Sequence, residues 1–227
     1  MLCPAAKRFG KGKLTLDVKC IQGGPLPTNC YVITDAATGD GAVIDPGFVN
    51  RELIDAVSGG NIKMILLTHG HFDHITGVAE VKKLTGAKVY IYSGEEHMIN
   101  DGESNLGGPF FGTSVTPFSA DVLLKDGDTA ALGKTQIKVL HTPGHTSGGC
   151  CFVAGGAIFA GDTLMKLCCG RVDCPTGSAA DMRASLLKLK SLKGNFKVYP
   201  GHGPESSLDF EREYNPYMKD NIDDSMY

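Results

Sequence analysis

Long apolar runs are missing from this sequence. No stretch of the 227 residues approaches the roughly 18 consecutive apolar residues that a membrane-spanning helix needs. The N-terminal segment carries Lys7, Arg8, Lys11 and Lys13 but lacks the apolar segment that follows the basic residues of a secretory signal. Both absences predict a cytoplasmic protein that neither crosses nor binds a membrane.

Long basic runs are missing as well. The formal net charge is -3, the sequence pI is about 6.1, and the lysines and arginines are scattered along the chain. A nucleic-acid-binding surface needs concentrated positive charge. The sequence therefore predicts a small-molecule substrate rather than nucleic acid, and it leaves the oligomeric state open.

The sequence also lacks a CxxC motif, although it contains eight cysteines. Two adjacent pairs, the missing export signal and a chain long enough to bury a large core favour reduced thiols over a disulfide framework. We interpret most of them as small apolar core residues, which makes a cysteine zinc site the weaker alternative. The eight are Cys3, Cys20, Cys30, Cys150, Cys151, Cys168, Cys169 and Cys174.

The most distinctive feature that is present is the segment 68–74, Thr-His-Gly-His-Phe-Asp-His, which follows four apolar residues. We interpret the apolar run as a buried strand and the motif as the loop that leaves its end. Imidazole nitrogens and carboxylate oxygens suit zinc and related divalent metals. Alternate spacing would let His69 and His71 converge on one point while Asp73 and His74 face a second. The motif therefore predicts two metal positions, and a polar surface loop is the weaker interpretation.

In the first half of the chain, a run of predicted strands is followed by helices. Asn50 can cap a short helix that Gly59 and Gly60 end, and Ser93 can cap a helical turn. Residues 101–120 are rich in Gly, Ser, Thr and Pro, and loops of this length are often functional or mobile. The predicted strands cover residues 14–20, 30–34, 42–44, 64–67 and 89–92, and the predicted helices cover residues 50–57 and about 77–84.

The second half repeats this plan. Strands joined by short turns favour antiparallel or mixed sheets, and amphipathic helices need an apolar sheet face to cover. Two such halves, packed sheet to sheet, make an α/β fold: a four-layer αββα sandwich of two mixed sheets flanked by helices. No linker separates them, so we expect one domain over residues 1–227. The predicted strands here are 122–124, 135–140, 150–153, 157–160 and 197–199, and the predicted helix is 180–192.

Three more side chains of metal-ligand type follow apolar strands in the second half: His145, Asp162 and His202. Glycines beside them allow tight turns and close approach between loops. Each alone is more commonly a loop residue than a ligand. Together with the first motif they complete a set of seven.

These ordered motifs resemble those of the metallo-β-lactamase superfamily, over about residues 14–216. They are T-H-x-H-x-D-H at 68–74, T-P-G-H-T-S-G at 142–148, G-D-T-L at 161–164 and Y-P-G-H-G at 199–203. Within the superfamily the sequence is most similar to short glyoxalase II-type hydrolases, the hydroxyacylglutathione hydrolases without a C-terminal helical domain. Residues 211–216 are similar to the closing segment of these short members.

The resemblance implies two divalent metal ions, zinc by preference and iron or manganese as alternatives. It implies that a thioester such as S-lactoylglutathione is hydrolysed by a hydroxide held between the metals, with Asp73 orienting it as the nearest equivalent of a general base. A shared carboxylate would reduce the repulsion between two neighbouring cations. The implied ligands are His69, His71 and His145 for one metal, Asp73, His74 and His202 for the other, and Asp162 as the bridge.

Arg171 matches a position that contacts glutathione in glyoxalase II. Its guanidinium could pair with a substrate carboxylate, and an internal ion pair with Asp173 is the alternative. This sequence departs from glyoxalase II in having Asp173 where an aromatic residue stands there, and Pro204 near the place of a substrate-contacting tyrosine. The thiol carrier and the acyl group therefore stay open.

A persulfide dioxygenase with a single iron is the alternative activity on the same fold. Its iron would be held by matches of His69, His71 or His145, and Asp162. The predicted cytoplasmic location disfavours a β-lactamase, and the complete ligand set disfavours a non-enzymatic binding module.

Three side chains near the motifs receive structural rather than ligand roles. We expect Asp45 to fix a turn near the site and His141 to form a structural hydrogen bond at a strand end. His97 is predicted to lie on a solvated surface helix together with Glu95 and Glu96.

Overall fold

The computed structural model describes residues 16–219, apart from the side chains of residues 109 and 110. Two six-stranded sheets form its framework. The strands of the first sheet are β1 (Leu16–Gly23), β2 (Thr28–Asp35), β3 (Asp40–Ile44), β4 (Asn61–Leu67), β5 (Lys88–Tyr92) and β6 (Val122–Leu124). Those of the second are β7 (Thr129–Leu132), β8 (Thr135–His141), β9 (Cys150–Ala154), β10 (Ala157–Gly161), β11 (Lys197–Pro200) and β12 (Ser206–Ser207).

The helices are short. Among residues 16–219, none is long and apolar enough to cross a membrane. The α-helices are α1 (Arg51–Ser58), α2 (Phe72–Ile75), α3 (Val78–Thr85), α4 (Gly108–Phe111), α5 (Ala179–Lys190) and α6 (Leu208–Tyr214), and two 3₁₀ helices cover Ser93–Met98 and Pro216–Met218.

Both sheets are mixed. The first has the strand order β1-β2-β3-β4-β5-β6, antiparallel from β1 to β3 and parallel from β3 to β6. The second has the order β12-β11-β10-β9-β8-β7, in which only β10 and β11 pair in parallel. Parallel neighbours end at the same edge of a sheet, so the loops that follow β3 and β4 emerge side by side, as do those that follow β10 and β11.

Three apolar clusters establish four layers. Between the sheets, Ile33 and Leu66 of the first pack in one cluster with Val139 and Phe152 of the second. The outer face of the first sheet packs against α1 and α3, and the outer face of the second packs against α5 and α6. The αββα sandwich predicted from the sequence is therefore confirmed.

Several predicted elements differ from the observed ones. The strand predicted at 122–124 is β6 of the first sheet, not the start of the second half, because it pairs in parallel with β5. The Asn50 cap of α1 is confirmed, since Asn50 Oδ1 accepts a hydrogen bond of 2.8 Å from Leu53 N–H. Ser93 does not cap the 3₁₀ helix that begins with it, because the preceding Tyr92 occupies the cap position. The sequence patterns also missed β7, α4, α6 and β12.

Candidate metal centre

The candidate metal centre lies at the end of β4, where the segment 68–74 does not stay a loop as predicted. His71 occupies the N-cap of α2, and this single helical turn carries Asp73 and His74. The backbone is extended at His71 and helical from Phe72 onward, so side chains before and within the helix point in different directions. This change of backbone conformation separates the ligand-type side chains of the motif into two pairs. His69 and His71 face one group of side chains, and Asp73 and His74 face another.

The structure brings all seven predicted ligands together. In each group of three the potential ligand atoms lie within 4.8 Å of one another. Six of the seven residues are buried, and His202 is half-buried. The groups are His69, His71 and His145; His69, His74 and Asp162; and Asp73, His74 and His202.

The first group is formed by residues that follow strands of both sheets. His71 Nδ1 lies 2.9 Å from His145 Nε2, although 74 residues separate the two in the chain. The ring of His69 meets those of His71 and His145 edge to face, with centroid distances of 4.8 Å and 4.9 Å. One potential ligand nitrogen of each ring lies within 4.8 Å of those of the other two, which is close enough for all three to hold one metal ion.

In the second group, His202 Nε2 lies 3.2 Å and His74 Nε2 lies 3.5 Å from Asp73 Oδ2. Asp162 contacts both groups: its Oδ2 is 3.5 Å from His145 Nε2 and 3.5 Å from His202 Nε2, and its Oδ1 is 3.6 Å from His74 Nε2. Asp162 thus lies between the groups, where the bridging role would require it.

Hydrogen bonds at the outer side of the rings orient four of the five histidines. His145 Nδ1 donates to Arg171 O at 2.7 Å, His202 Nδ1 to Leu26 O at 2.9 Å, and His74 Nδ1 to Asp45 Oδ2 at 3.0 Å. His69 Nδ1 lies 3.1 Å from Thr68 Oγ1, which can only accept there because its own proton is donated to Asp45. In the neutral form of each ring, Nε2 is therefore the bare nitrogen, as a metal ligand requires.

Three buried ligand-type atoms have no hydrogen-bond partner among the described residues: His69 Nε2, His71 Nε2 and Asp162 Oδ1. Buried polar atoms are almost always paired, so a group of unpaired ones calls for a ligand of its own. Imidazole nitrogens and a carboxylate oxygen match the preferences of zinc and iron. The residues present therefore fit divalent metal ions.

The pKa values divide the histidines into two kinds. Burial lowers the pKa of His69 well below its ordinary value and that of His71 to about 3. Burial also disfavours the charged form of His74, but the charges of Asp73 and Asp162 outweigh it and raise the pKa of His74 to about 10. Although burial opposes it, the nearby His74 charge and the hydrogen bond from His202 hold the pKa of Asp73 below its ordinary range. The second group therefore holds protons that a metal would replace.

Asp45 stabilises the backbone near the site, as predicted, and it also contacts a candidate ligand, His74. Its Oδ1 accepts from Thr68 N–H at 2.8 Å, and its Oδ2 accepts from Thr68 Oγ1 at 2.6 Å and from His74 Nδ1. Its backbone has φ 51°, a conformation that aspartate tolerates better than most residues. Asp45 consequently joins the end of β3 to the ligand motif after β4.

Two side chains of β2 hold the His202 loop and were not found from the sequence. Asn29 Nδ2 donates to Pro200 O at 3.0 Å and to Gly203 O at 2.8 Å, and Tyr31 Oη donates to Pro200 O at 2.6 Å. These partners lie about 170 residues apart in the chain. No local pattern in the sequence could have paired them.

The comparison with protein families decides the family. The model of the metallo-β-lactamase superfamily matches residues 23–202. The chain belongs to the metallo-β-lactamase superfamily. With this fold, the histidine and aspartate groups imply divalent metal ions.

Among relatives, an uncharacterised protein of Aquifex aeolicus is 34% identical over 203 residues, which cover 88% of this chain and 96% of that protein. The hydroxyacylglutathione hydrolase of Rhodospirillum rubrum is 35% identical over 175 residues, which cover 76% of this chain and 60% of that enzyme.

Solved structures of the superfamily share the fold. The BLEG-1 B3 metallo-β-lactamase has a TM-score of 0.82 and 31% identity, covering 89% of this chain and 99% of its own. TTHA1623 in a di-iron-bound form has a TM-score of 0.78 and 31% identity, covering 88% and 100%. ETHE1 from Myxococcus xanthus has a TM-score of 0.71 and 28% identity, covering 88% and 83%.

Four side chains around the candidate metal centre can be compared with their predicted roles, and one of them differs. Arg171 makes a bidentate ion pair with Asp173, with Nε–Oδ1 and Nη2–Oδ2 distances of 2.6 Å and 2.7 Å. His141 forms the predicted structural hydrogen bond, its Nε2 lying 3.0 Å from Ser147 O. His97 is exposed, but the solvated position predicted for Glu95 is wrong because its side chain is fully buried.

Proposed function

We propose that this protein is a binuclear metal-dependent hydrolase of the glyoxalase II type, which cleaves S-lactoylglutathione or a related acyl thioester. The observation that carries the proposal is the arrangement of the seven ligands as two three-residue sets with Asp162 in contact with both. One set is His69, His71 and His145, and the other is Asp73, His74 and His202.

Two divalent cations held there would act as Lewis acids toward a carbonyl oxygen and would lower the pKa of water to near 7. The protein's own contribution is orientation: four outer hydrogen bonds direct bare Nε2 atoms inward, and burial keeps bulk water away from the ligands. Asp73 has a pKa below its ordinary range, so it serves as an ionised ligand that accepts from Thr28 Oγ1 at 2.8 Å. It is better suited to orient a nucleophile than to store its proton.

The thioester substrate is supported by the similarity to the Rhodospirillum rubrum hydroxyacylglutathione hydrolase, of which this chain spans 60%. A thiolate is a good leaving group, so attack at the carbonyl carbon by water is the demanding step. That step needs the two Lewis acids rather than a serine or cysteine nucleophile.

Arg171 is the proposed contact for a substrate carboxylate. Its ion pair with Asp173 is exposed on both sides, with 68% and 69% of the side chains accessible, so a substrate could replace Asp173 as the partner. Arg171→Ala should then raise KM for a glutathione thioester about 10- to 100-fold more than for a small uncharged thioester, the loss of one charge-assisted pair. Equal changes in KM for both substrates would show that Arg171 has only a structural role, in its ion pair with Asp173.

The deciding experiment uses protein purified without oxygen and loaded with zinc, iron or manganese in separate samples. We expect thioester cleavage with release of free thiol under anaerobic conditions and about two metals per chain. Oxygen uptake on glutathione persulfide with one iron per chain, and no thioesterase activity with any metal, would contradict the proposal.

That contrary outcome would instead favour a mononuclear iron persulfide dioxygenase, an alternative that the similarity to ETHE1 fits. The single iron would then use the set of His69, His71 and His145 or a set with Asp162. Because a B3 metallo-β-lactamase shares the fold, a β-lactam belongs in the same substrate panel, and its turnover in preference to every thioester would also count against the proposed substrate class.

A further inference from the structure

A buried carboxylate lies beneath the first ligand set. Glu95, in the 3₁₀ helix after β5, has no exposed surface. Its Oε2 accepts a hydrogen bond of 2.8 Å from Gly70 N–H, and its Oε1 accepts one of 2.7 Å from Gly148 N–H. A carboxylate is costly to bury unless its oxygens are paired, so its retention at this place requires these two donors.

The two donors belong to the segments that carry the first ligand set. Gly70 stands between His69 and His71 in the first half of the chain, and Gly148 follows His145 by three residues in the second half. One side chain therefore joins the segments that supply all three ligands.

The backbone approaches Glu95 so closely that only glycine fits at both positions. A Cβ on Gly70 would lie 2.7 Å from Met98 Cβ, and one on Gly148 would lie 2.8 Å from Glu95 Cγ and 2.7 Å from the carbonyl carbon of Gly94. Both N–H groups reach the carboxylate because no side chain stands in the way. The 3₁₀ helix is thus in close contact with the segment around Gly70 and with the segment around Gly148.

We propose that Glu95 is a positioning residue for the three-histidine metal set, which it holds together by fixing the backbone at Gly70 and Gly148. This role rests on the metal centre of the proposed function and is independent of the thioester substrate. The second set of Asp73, His74 and His202 has no such link to Glu95, so the effect should be confined to one of the two metals.

The test separates the two metal sets. In a His202→Ala background the three-histidine set remains complete, whereas in a His71→Ala background the Asp73, His74 and His202 set remains complete. Zinc affinity is measured by chelator competition in each background, with and without Glu95→Gln. We expect Glu95→Gln to weaken zinc binding about 10- to 100-fold in the His202→Ala background, and to change it little in the His71→Ala background.

Two matched controls exclude a general loss of stability. Asp35→Asn alters another buried carboxylate at the far end of β2, and Glu96→Gln alters the exposed neighbour of Glu95. Neither should change zinc affinity in either background. Equal losses in both backgrounds, or no loss in either, would overturn the positioning role while leaving the metal centre intact.

Amide exchange can be measured on the unaltered protein, so this second test does not require a variant that folds. In ¹⁵N-labelled metal-free protein, the amide protons of Gly70 and Gly148 should exchange slowly with solvent and resonate downfield, as protons bonded to a carboxylate do. Rapid exchange at both amides would contradict the proposal directly. Failure of both parent backgrounds to bind zinc would contradict the proposed metal centre and this role together.

Discussion

At the scale of single residues, hydrogen bonds decide which nitrogen faces the centre in four of the five histidines. A ring nitrogen binds a metal only without its proton, and the other nitrogen must then carry one. His145, His202 and His74 each use Nδ1 for a bond to a backbone carbonyl or to Asp45. Metal affinity therefore depends on residues that never touch the metal.

The first prediction follows from the two kinds of histidine. The pKa of His71 is lowered to about 3, so this ring is already neutral above pH 6, whereas the pKa of His74 is raised to about 10 and that of His202 is also raised. A metal in the second set must displace protons, so its affinity should rise with pH by up to about tenfold per unit for each proton. The first set should show a weaker pH dependence than the second, because His69 and His71 hold no proton to displace in this range.

Zinc titrations in a weakly buffered indicator solution measure this difference. The His71→Ala protein should release protons on binding, and the His202→Ala protein should release fewer. Equal proton release from both would show that the charges of Asp73 and Asp162 do not control His74 as inferred.

The second prediction concerns Asp162, whose two oxygens lie near histidines of both sets. Asp162→Ala should reduce the metal content from near two to near one per chain and lower thioesterase activity about 10- to 100-fold or more. Elemental analysis and anaerobic kinetics measure both effects. Asp17→Ala, at an exposed position of β1, serves as the control and should change neither. Full activity of the Asp162 variant would show that the enzyme does not need a carboxylate shared by the two metals.

At the scale of elements, α2 is a single helical turn that cannot be stable alone. Its start is held by Phe72 N–H, which donates to Asn105 O at 2.8 Å, and its backbone packs directly on Gly47. The long loop predicted at 101–120 thus has a structural function, and Phe111 within it packs on the ring of Phe72 at 4.7 Å between centroids.

The third prediction tests this packing. A Cβ on Gly47 would overlap the carbonyl group of Asp73 and lie 3.1 Å from His74 Cα. Gly47→Ala should therefore displace α2, destabilise the protein by about 1 to 3 kcal/mol and weaken the second metal set more than the first. Urea unfolding and zinc competition measure the two effects.

Gly59→Ala is the matched control for that substitution. Gly59 ends α1 with φ -88°, and its nearest neighbour would be 3.7 Å from an added Cβ. This variant should keep its stability and its metal affinity. A Gly47 variant that behaves like the Gly59 variant would show that α2 adjusts freely.

Local patterns located most of the elements, and the exceptions have physical causes. Alternation and caps predicted β1 to β5 and α1, because these signals lie within a few residues of each other. The strand at 122–124 was assigned to the wrong half because only its pairing with β5 fixes its sheet. Glu95 was predicted to be solvated because it stands beside the polar residues Glu96 and His97, whereas its own oxygens are paired by distant glycines.

At the scale of the whole molecule, side chains join the two sheets at both ends. Near the metal centre, Asn29 and Tyr31 of β2 hold the loop after β11. At the opposite end of β2, the buried Asp35 Oδ2 accepts from Thr135 Oγ1 of β8 at 2.7 Å. The sheets are therefore fixed relative to each other by polar contacts as well as by the apolar layer between them.

The fourth prediction is a pH dependence of stability. The hydrogen bonds from Thr135 and Thr38 lower the pKa of Asp35 to about 2 from an ordinary value of 3.8. A lowered pKa adds stability that is fully present above pH 3.8 and is lost as the pH falls through about 2. Asp35→Asn should therefore be less stable than the unaltered protein at pH 6, and the difference should shrink below pH 3.8.

Thermal unfolding midpoints from pH 6 to about 2 measure the difference, with Asp17→Asn at an exposed position as the control. A difference that stays constant over this range would show that Asp35 stabilises the fold without its charge.

The sequence by itself determined the set of candidate ligands and the layers. Five histidines and two aspartates follow strands in a fixed order, and the strand and helix periods are short-range signals that a chain carries in its own residues. Only the tertiary structure decided which side chains orient those ligands. Asn29 and Pro200 are 171 residues apart, and Glu95 meets Gly148 across 53 residues, so these contacts exist only because two sheets pack face to face.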